Sequence, residues 1–301
     1  MKTEPGPPKL TKILERFRIT DGTKFRLADY DPADTAGIDL NKEEAKALVA
    51  RDVERLAALQ ELLYAQDRWS LLCVLQGMDS AGKDGTIKHV MSGVNPQGVQ
   101  VSTFKAPGPE ELAHGFLWRV SQKLPTRGHI GIFNRSHYEE VLVVRVHPEL
   151  LQTERLPEAV IGKNFWQHRL EDIANFERYL AHQGVVIVKF FLHISQEEQR
   201  RRLLARLDDP RKNWKFSESD LAERLFWDDY MRAYEKAIAA TAAPHAPWYI
   251  VPADHKWFAH VLVVAAMIEA LEALKLAYPK LDAKQQELLK RARTELQRMP
   301  A

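Results

Sequence analysis

The chain has 301 residues, with 43 Lys and Arg against 41 Asp and Glu for a formal net charge of +2, and 45% of its residues are hydrophobic. Those values exclude a disordered, collagenous or coiled-coil protein and do not mark a dedicated nucleic-acid binder. The lone cysteine, Cys73, excludes a disulfide framework and a Cys-rich zinc site, and points to a reducing compartment.

The N-terminal stretch Met1 to Lys12 carries Pro5, Pro7 and Pro8 and no secretory apolar run. No segment reaches the ~18 uninterrupted apolar residues of a membrane span. A cytoplasmic protein without a membrane partner is therefore expected. Residues 1–40 read as irregular. Leu40, Asn41 and Glu44 then form a capping-box pattern ahead of Ala45, Leu48, Val49, Val53, Leu56, Leu59, Leu62 and Leu63, predicting an amphipathic helix that ends near Asp67.

Five short apolar runs follow: Leu71 to Gln76, Val99 to Phe104, His129 to Phe133, Val185 to Leu192 and Trp248 to Val251. Most lack clean alternation, as strands buried on both faces do. Helical patterns separate them, over Glu110 to Gln122, Asn164 to His182 before Gly184, and Ser195 to about Leu207. Two more run over Ser217 to Thr241 and Lys256 to Leu274, and a charged helix over Ala283 to Arg298 closes the chain. Alternating strand and helix predicts an α/β fold with a parallel five-stranded sheet and extra terminal helices. The polar, basic stretch from Asp208 to Lys215, broken by Pro210, has the character of a lid as much as of a surface connection.

The stretch Gly77-Met78-Asp79-Ser80-Ala81-Gly82-Lys83-Asp84 nearly matches the phosphate-loop pattern, with a buried strand before it and a helix start after it. Glycines let successive N–H groups turn inward around a phosphate, the helix N-terminus adds partial positive charge, and Lys83 supplies a full one. The expected phosphate-binding set is Gly77, Met78, Ser80, Ala81, Gly82, Asp84 and Gly85. Asp84 stands where a Ser or Thr normally meets Mg²⁺, and Asp79 sits inside the loop. An anionic loop cradles a polyphosphate poorly without a cation, so Asp79 is expected to hold Mg²⁺ or to handle a proton on the acceptor.

A second cluster follows the third strand: Asn134-Arg135-Ser136-His137-Tyr138-Glu139-Glu140. Ligands of open α/β sheets bind outside the carboxyl ends of strands. Asn134 would stand where a second metal-contacting acid is common, and Arg135 would clamp phosphate oxygens with its planar fork. Glu139 or Glu140 would restore the missing carboxylate, with spacing alone unable to rank them. Among the Lys and Arg near strand ends, which include Arg201, Arg202 and Lys212, the best bets for a phosphate groove are Lys105, then Arg119 and Arg206, with Lys88 and Lys215 beside them. Trp214 could stack on a base but by default packs, and His193 reads as a satisfied, partly buried side chain.

With those residues in hand, the chain resembles the polyphosphate kinase 2 family, and within it the class III branch. The matching stretches are Leu27 to Pro32, Leu75 to Ile87, Val94 to Gly98, Phe104 to Pro107, Phe133 to Glu139, Phe191 to Ser195, Trp214 to Phe216, Trp227 to Tyr230 and Ala246 to Trp248, within Leu27 to Leu274. The resemblance implies a three-layer phosphate-loop kinase core similar to thymidylate kinase, with a helical lid. It implies inorganic polyphosphate as donor, AMP or ADP as acceptor with a reversible direction to and from ATP, Mg²⁺ (Mn²⁺ possible), and a homodimer or homotetramer. It maps Asp79 and Lys83 as a catalytic pair, Arg135 and Glu139 beside them, Asp79 and Asn134 toward metal, and the lid near 207–216. The corresponding division is 1–66 as N-terminal extension and helix, 67–276 as core, and 277–301 as C-terminal helix. Gly115 stands where the family leads one to expect an acid, and in a helix interior it would lower propensity. The alternatives are an ATP-dependent nucleoside monophosphate kinase of the thymidylate kinase type and a non-catalytic nucleotide- or polyphosphate-binding protein.

Overall fold

A computed structural model describes residues 10–299, with the side chains of Leu10, Thr11, Lys42 and Lys215 outside that description. Most of the proline-rich N-terminal stretch therefore lies outside the described residues. Numbering only helices of two turns or more, the order is α1 (Leu10–Phe17), β1 (Arg18–Ile19), α2 (Lys42–Gln66), β2 (Ser70–Gln76) and α3 (Lys83–Val90). Then come β3 (Val99–Thr103), β4 (Ile130–Asn134), α4 (Phe165–His182), β5 (Val185–His193) and α5 (Gln196–Leu207). The chain ends with α6 (Trp227–Thr241), β6 (Trp248–Pro252), α7 (Lys256–Glu272) and α8 (Ala283–Arg298).

All five predicted strands form, in the sheet order β1-β6-β5-β2-β4-β3. The expected five-stranded parallel sheet is thus corrected to six strands. The addition is the two-residue β1, antiparallel to β6, while the other pairs are parallel. So short a strand has no periodicity to read. The irregular reading of residues 1–40 is likewise corrected, because α1 forms in their described part, with Leu14 and Phe17 buried.

Local chemistry sets the boundaries. Asn41 accepts from the Glu43 and Glu44 amides while Glu44 reaches back to the Asn41 amide, and Asp67 closes α2 in a left-handed conformation. Ser195 accepts from the Glu198 amide to start α5. Two predicted helices break. Glu110 to Gln122 is only two short turns, Pro109–Leu112 and Trp118–Ser121. Gly115 lies in the gap, where an added Cβ would meet nothing within 4 Å, so its helix-propensity penalty does not arise. Ser217 to Thr241 becomes Glu218–Ala222, a 3-10 turn Glu223–Phe226 and then α6. Hydropathy periodicity does not register such breaks.

Strands β2 and β4 are buried at every position, as their unbroken apolar runs require. Helix α7 packs with α2, α3 and α1, and α4 packs with α6, so helices cover both faces of the sheet. From β2 the chain runs outward to β3, returns to β4, then crosses β2 to reach β5 and β6. Connections therefore leave β2 in opposite directions and open a crevice at its carboxyl end.

One charge sits deep in this core. Lys189 of β5, fully buried, donates to Glu177 of α4, to the Tyr138 hydroxyl (3.1 Å) and to the Thr241 carbonyl (2.8 Å). Burial pulls the Lys189 ammonium below its ordinary value, against the attraction of Glu177. Burial also opposes the Glu177 carboxylate, but Lys189 and His137 outweigh it and hold Glu177 below the usual carboxylate range. The network ties the segment after β4 to α4, β5 and α6.

Candidate active site

The turn from β2 to α3 wraps a concave stretch of backbone. Gly77 has φ +153° and Gly82 φ +110°, and a Cβ on Gly77 would lie 2.8 Å from the Leu192 carbonyl oxygen. Only glycine fits between this loop and β5. Ser80 also adopts a positive φ, +63°, and the Ala81 amide donates to the Met78 carbonyl (3.1 Å) to close the turn. Beside it, β4 ends at Asn134, and Arg135 turns left-handed at φ +62° while its amide donates to the Leu75 carbonyl (3.1 Å). Ser136 joins the two strand tips, accepting from the Gln76 side chain (3.2 Å) and the Tyr138 amide (3.2 Å).

Three charged groups converge at the lip of the loop. Lys83 is buried and its ammonium donates to the Gly77 (2.6 Å) and Met78 (3.2 Å) carbonyls. Burial, reinforced by Arg135, lowers its pKa to about 8, against the pull of Asp79, Glu139 and Asp84. Arg135 forks between carboxylates, donating to Asp79 (2.7 Å) and to Glu139 (3.0 Å). Burial works against the guanidinium, but Glu139 and Asp79 outweigh it and raise its pKa. Asn134 donates to Asp84 (2.7 Å), so the unusual loop acid has a partner on the neighbouring strand tip.

The two adjacent glutamates separate. Glu139 faces Arg135, whereas Glu140 is buried against Arg119 (3.5 Å) and Arg169 (3.0 Å). Arg119, buried, also donates to the Lys105 carbonyl (2.7 Å), so it braces the wall that carries the exposed Lys105. Arg206 of α5 donates to the Ser80 hydroxyl (2.8 Å) and pairs with Asp220 (2.9 Å). Lys88 is exposed on α3 and is not among the residues that line the cavity, and Lys215 belongs to the 3-10 turn Asn213–Lys215 of the expected lid. Trp214 in that turn is 77% exposed and its indole donates to the Arg211 carbonyl (3.0 Å). His193, buried at the end of β5, has an Nδ1 without a hydrogen-bond partner, and burial lowers its pKa to about 4.

Two residues of α5 brace the loop: Arg202, expected only as one of many groove cations, and Gln199, which the sequence reading missed. Arg202 of α5, buried, donates to the Ser80 (3.1 Å) and Ala81 (2.9 Å) carbonyls and to Glu198 (2.6 Å). Gln199, one turn earlier, donates to the Asp79 carbonyl (2.9 Å). Both sit on one face of α5, at i and i+3, and that spacing beside a capping box was the only available signal.

These groups line one cavity of about 1410 Å³, which includes residues 79–86, Lys105, Arg119, Asn134, Arg135, Glu139, Arg206 and Trp214. Among the described residues, no group of three or more His, Cys, Asp or Glu could hold a metal ion. The donors on hand are hard oxygens: the Asp79 carboxylate at the lip and the Asn134 amide oxygen beside Asp84. That sparse set fits Mg²⁺, which takes one or two protein oxygens and fills its shell with water and phosphate.

A buried strand, a left-handed glycine loop, a buried lysine and a helix start define a phosphate-loop kinase core. The polyphosphate kinase 2 family model matches residues 39–279. An ADP-polyphosphate phosphotransferase of Rhodopseudomonas palustris is 51% identical over 91% of this chain and 96% of its own length. An AMP/ADP-polyphosphate phosphotransferase of Meiothermus ruber is 45% identical over 92% of this chain and 99% of its own. The crystal structure of polyphosphate kinase 2 from Arthrobacter aurescens superposes with a TM-score of 0.83 at 42% identity, covering 94% of this chain and 97% of that one. The chain belongs to the polyphosphate kinase 2 family and is an enzyme, a polyphosphate-dependent phosphotransferase. Among the described residues no helix is long and apolar enough to cross a membrane.

Proposed function

We propose that the enzyme transfers the terminal phosphoryl group of inorganic polyphosphate to AMP and ADP, reversibly, with Mg²⁺ as the working metal. The observation that carries this reading is the convergence of Lys83, Arg135 and Asp79 on a phosphate loop at the edge of one long cavity. The names of the two relatives favour polyphosphate over a nucleoside triphosphate as donor. An ATP-dependent monophosphate kinase is correspondingly not favoured.

In this reading, backbone amides of the 77–83 loop other than that of Ala81, which closes the turn, hold the terminal phosphate of the donor. Lys83 leaves its two carbonyl acceptors for a phosphoryl oxygen, which carries far more negative charge. Arg135 spreads positive charge over the transferred group, and Glu139 fixes the plane of its guanidinium. Asp79 and Asn134 would hold Mg²⁺, which supplies charge neutralisation on the phosphates. The bond between the terminal phosphorus and its bridging oxygen breaks as one forms to an acceptor phosphate oxygen, and the donor shortens by one unit. Such chemistry asks for positioning and electrostatics rather than covalent help. Residues 67–276 act as the catalytic core, with 207–216 as its lid. Cys73, buried and with its thiol pKa raised by burial, is inert. The expected setting is cytoplasmic, with neither nucleic acid nor membrane as a partner. A homodimer or homotetramer is the expected assembly.

The test is a donor swap. Purified enzyme receives Mg²⁺ with AMP or ADP as separate acceptors, and either polyphosphate or GTP as donor. ADP and ATP should form with polyphosphate. Product formation with GTP alone would refute the assignment.

A further inference from the structure

Away from the loop, the cavity divides by charge. Its wall near Lys105 and Arg119 also carries Glu111, Glu140 and Glu154, whereas the arm between α3, α5 and α7 carries Arg201, Arg202, Lys212 and Lys256. On that arm Glu198 pairs with Arg201 and Arg202, and Asp209 pairs with Lys212. Lys256 has no ion-pair partner among the described residues; toward the loop, Asp84 accepts from Asn134, while Asp79 and Asp220 are paired with Arg135 and Arg206. A polyanion is therefore favoured on the α3–α5–α7 side.

Two imidazoles lie in this arm. His89, in the last turn of α3, stacks on His260 of α7 with ring centroids 4.4 Å apart and planes 18° apart. The Nδ1 of His89 is 2.8 Å from the Gly85 carbonyl. A carbonyl only accepts, so Nδ1 carries the hydrogen and Nε2 is the site for a further proton. His260 is half-buried and has no hydrogen-bond partner within the described chain. Its polar edge is left for something that enters the cavity.

We propose that the His89–His260 pair is a proton-operated contact for the donor chain: polyphosphate lying along this arm brings one proton onto the pair, and binding tightens as pH falls. The proposal rests on the reading of the cavity as a polyphosphate site. In the free protein, burial, then His89, Lys256 and Arg202, hold the His260 imidazole down at a pKa of about 4. A bound polyanion offsets that cationic surrounding and supplies the missing acceptor, so the complex holds the proton more tightly than the free protein. By linkage, the protonated pair then holds the polyanion more tightly. Rings stacked this closely repel if both are charged, so one proton is shared.

The experiment measures polyphosphate binding calorimetrically at pH 7 in two buffers of different ionisation enthalpy, which counts protons taken up. It compares wild type with His89→Gln, His260→Gln and the double variant. His89 is exposed and His260 only half-buried, so folding is retained and is checked by the melting transition. Wild type should take up about one proton more than the double variant. The KM for polyphosphate should fall about three- to tenfold from pH 8 to pH 6.5 in wild type and stay nearly flat in the double variant, with kcat within about twofold. Lys83 and the end groups of the donor titrate alike in both proteins, so the difference isolates the pair. Equal proton uptake and equal pH slopes in the two proteins would overturn the proposal while leaving the phosphotransferase reading intact. Absence of polyphosphate binding by wild type would remove that reading, and this one with it.

Discussion

Replacing Lys83 by methionine should make the empty enzyme more stable and nearly dead. The ammonium is buried, and its pKa falls from the ordinary 10.5 to about 8. At about 1.4 kcal/mol for each pH unit between those values, the charged form disfavours the fold by at most about 3 kcal/mol. The two hydrogen bonds to the Gly77 and Met78 carbonyls already belong to that balance, and removing them leaves two loop acceptors to find water at about 1 kcal/mol each. The net expectation at pH 7 is a gain of about 1 kcal/mol, or about 2 °C in Tm for a chain of this size. The sign follows from proton counts. Between pH 8 and 10.5 the unfolded chain keeps a proton on Lys83 that the folded chain has lost, so wild-type stability from this group rises with pH. The variant's Tm advantage should therefore be largest below pH 8, vanish within about one pH unit above it, and reverse by about pH 10.

The catalytic side is larger. A unit charge about 4 Å from a phosphoryl oxygen is worth about 4 kcal/mol at an effective dielectric of 20, which is about a thousandfold in rate. Polyphosphate at 100 times its Kd should stabilise wild type by about 2.7 kcal/mol, and the variant much less. Scanning calorimetry from pH 6 to 10, with and without polyphosphate, reads both quantities. A variant that melts below wild type at pH 7 yet keeps the polyphosphate-induced shift would refute the reasoning, since Lys83 would then be a structural cation rather than one held for a phosphate.

Arg135→Lys should lower kcat about a hundredfold with little change in melting, because a point charge cannot fork between Asp79 and Glu139 as the guanidinium does; steady-state rates with polyphosphate and ADP check it. Gly77→Ala should abolish polyphosphate binding, measured calorimetrically, because a Cβ would lie 2.8 Å from the Leu192 carbonyl oxygen and the loop must move away. Lys189→Met should destabilise the fold by about 3–5 kcal/mol in denaturant titration by leaving the Glu177 carboxylate buried without its partner. Adding Glu177→Leu should recover most of that loss, and a double variant as unstable as the single one would contradict the account.

The parts of this molecule that were legible in the sequence are those fixed by short-range chemistry. The capping box at Asn41 and Glu44 and the Ser195 cap delivered helix starts within a residue. Strands β2, β4, β5 and β6 announced themselves because strands covered on both faces need uninterrupted apolar runs, whereas β3, at the sheet edge, is largely exposed. The phosphate loop was readable because its glycines are dictated by backbone conformation and close approach. Pairings between distant residues were not readable. Nothing in spacing separates Glu139 from Glu140, yet one turns toward Arg135 and the other toward Arg119 and Arg169. Arg119, expected as a groove cation, lines the cavity, but spacing gave no sign that its guanidinium also braces the Lys105 carbonyl. Gln199, and the bracing role of Arg202, were not readable because they hold the loop from another helix, and Lys189 was not because a buried lysine in an apolar strand reads as an interruption.

The resting arrangement explains why the loop tolerates two acids. Asp79 and Asp84 would repel a polyphosphate if left bare. Instead Asp79 is covered by Arg135 and Asp84 by the Asn134 amide, while Lys83 turns back on the loop carbonyls. Each charge at the lip is thus satisfied before any phosphate arrives, and the folded state does not hold an open ring of buried like charges. In the proposed reading, the phosphate then competes for Lys83 and Arg135 against the carbonyl and carboxylate partners already in place. Exchange of carbonyl and carboxylate contacts for phosphate contacts needs only side-chain rotation, because Arg202 and Gln199 pin the loop backbone from outside. A rigid loop with exchangeable side chains is the design that positioning-dominated phosphoryl transfer requires. It also accounts for Asn in place of an acid at position 134, since an amide can donate to Asp84 where a second carboxylate would repel it.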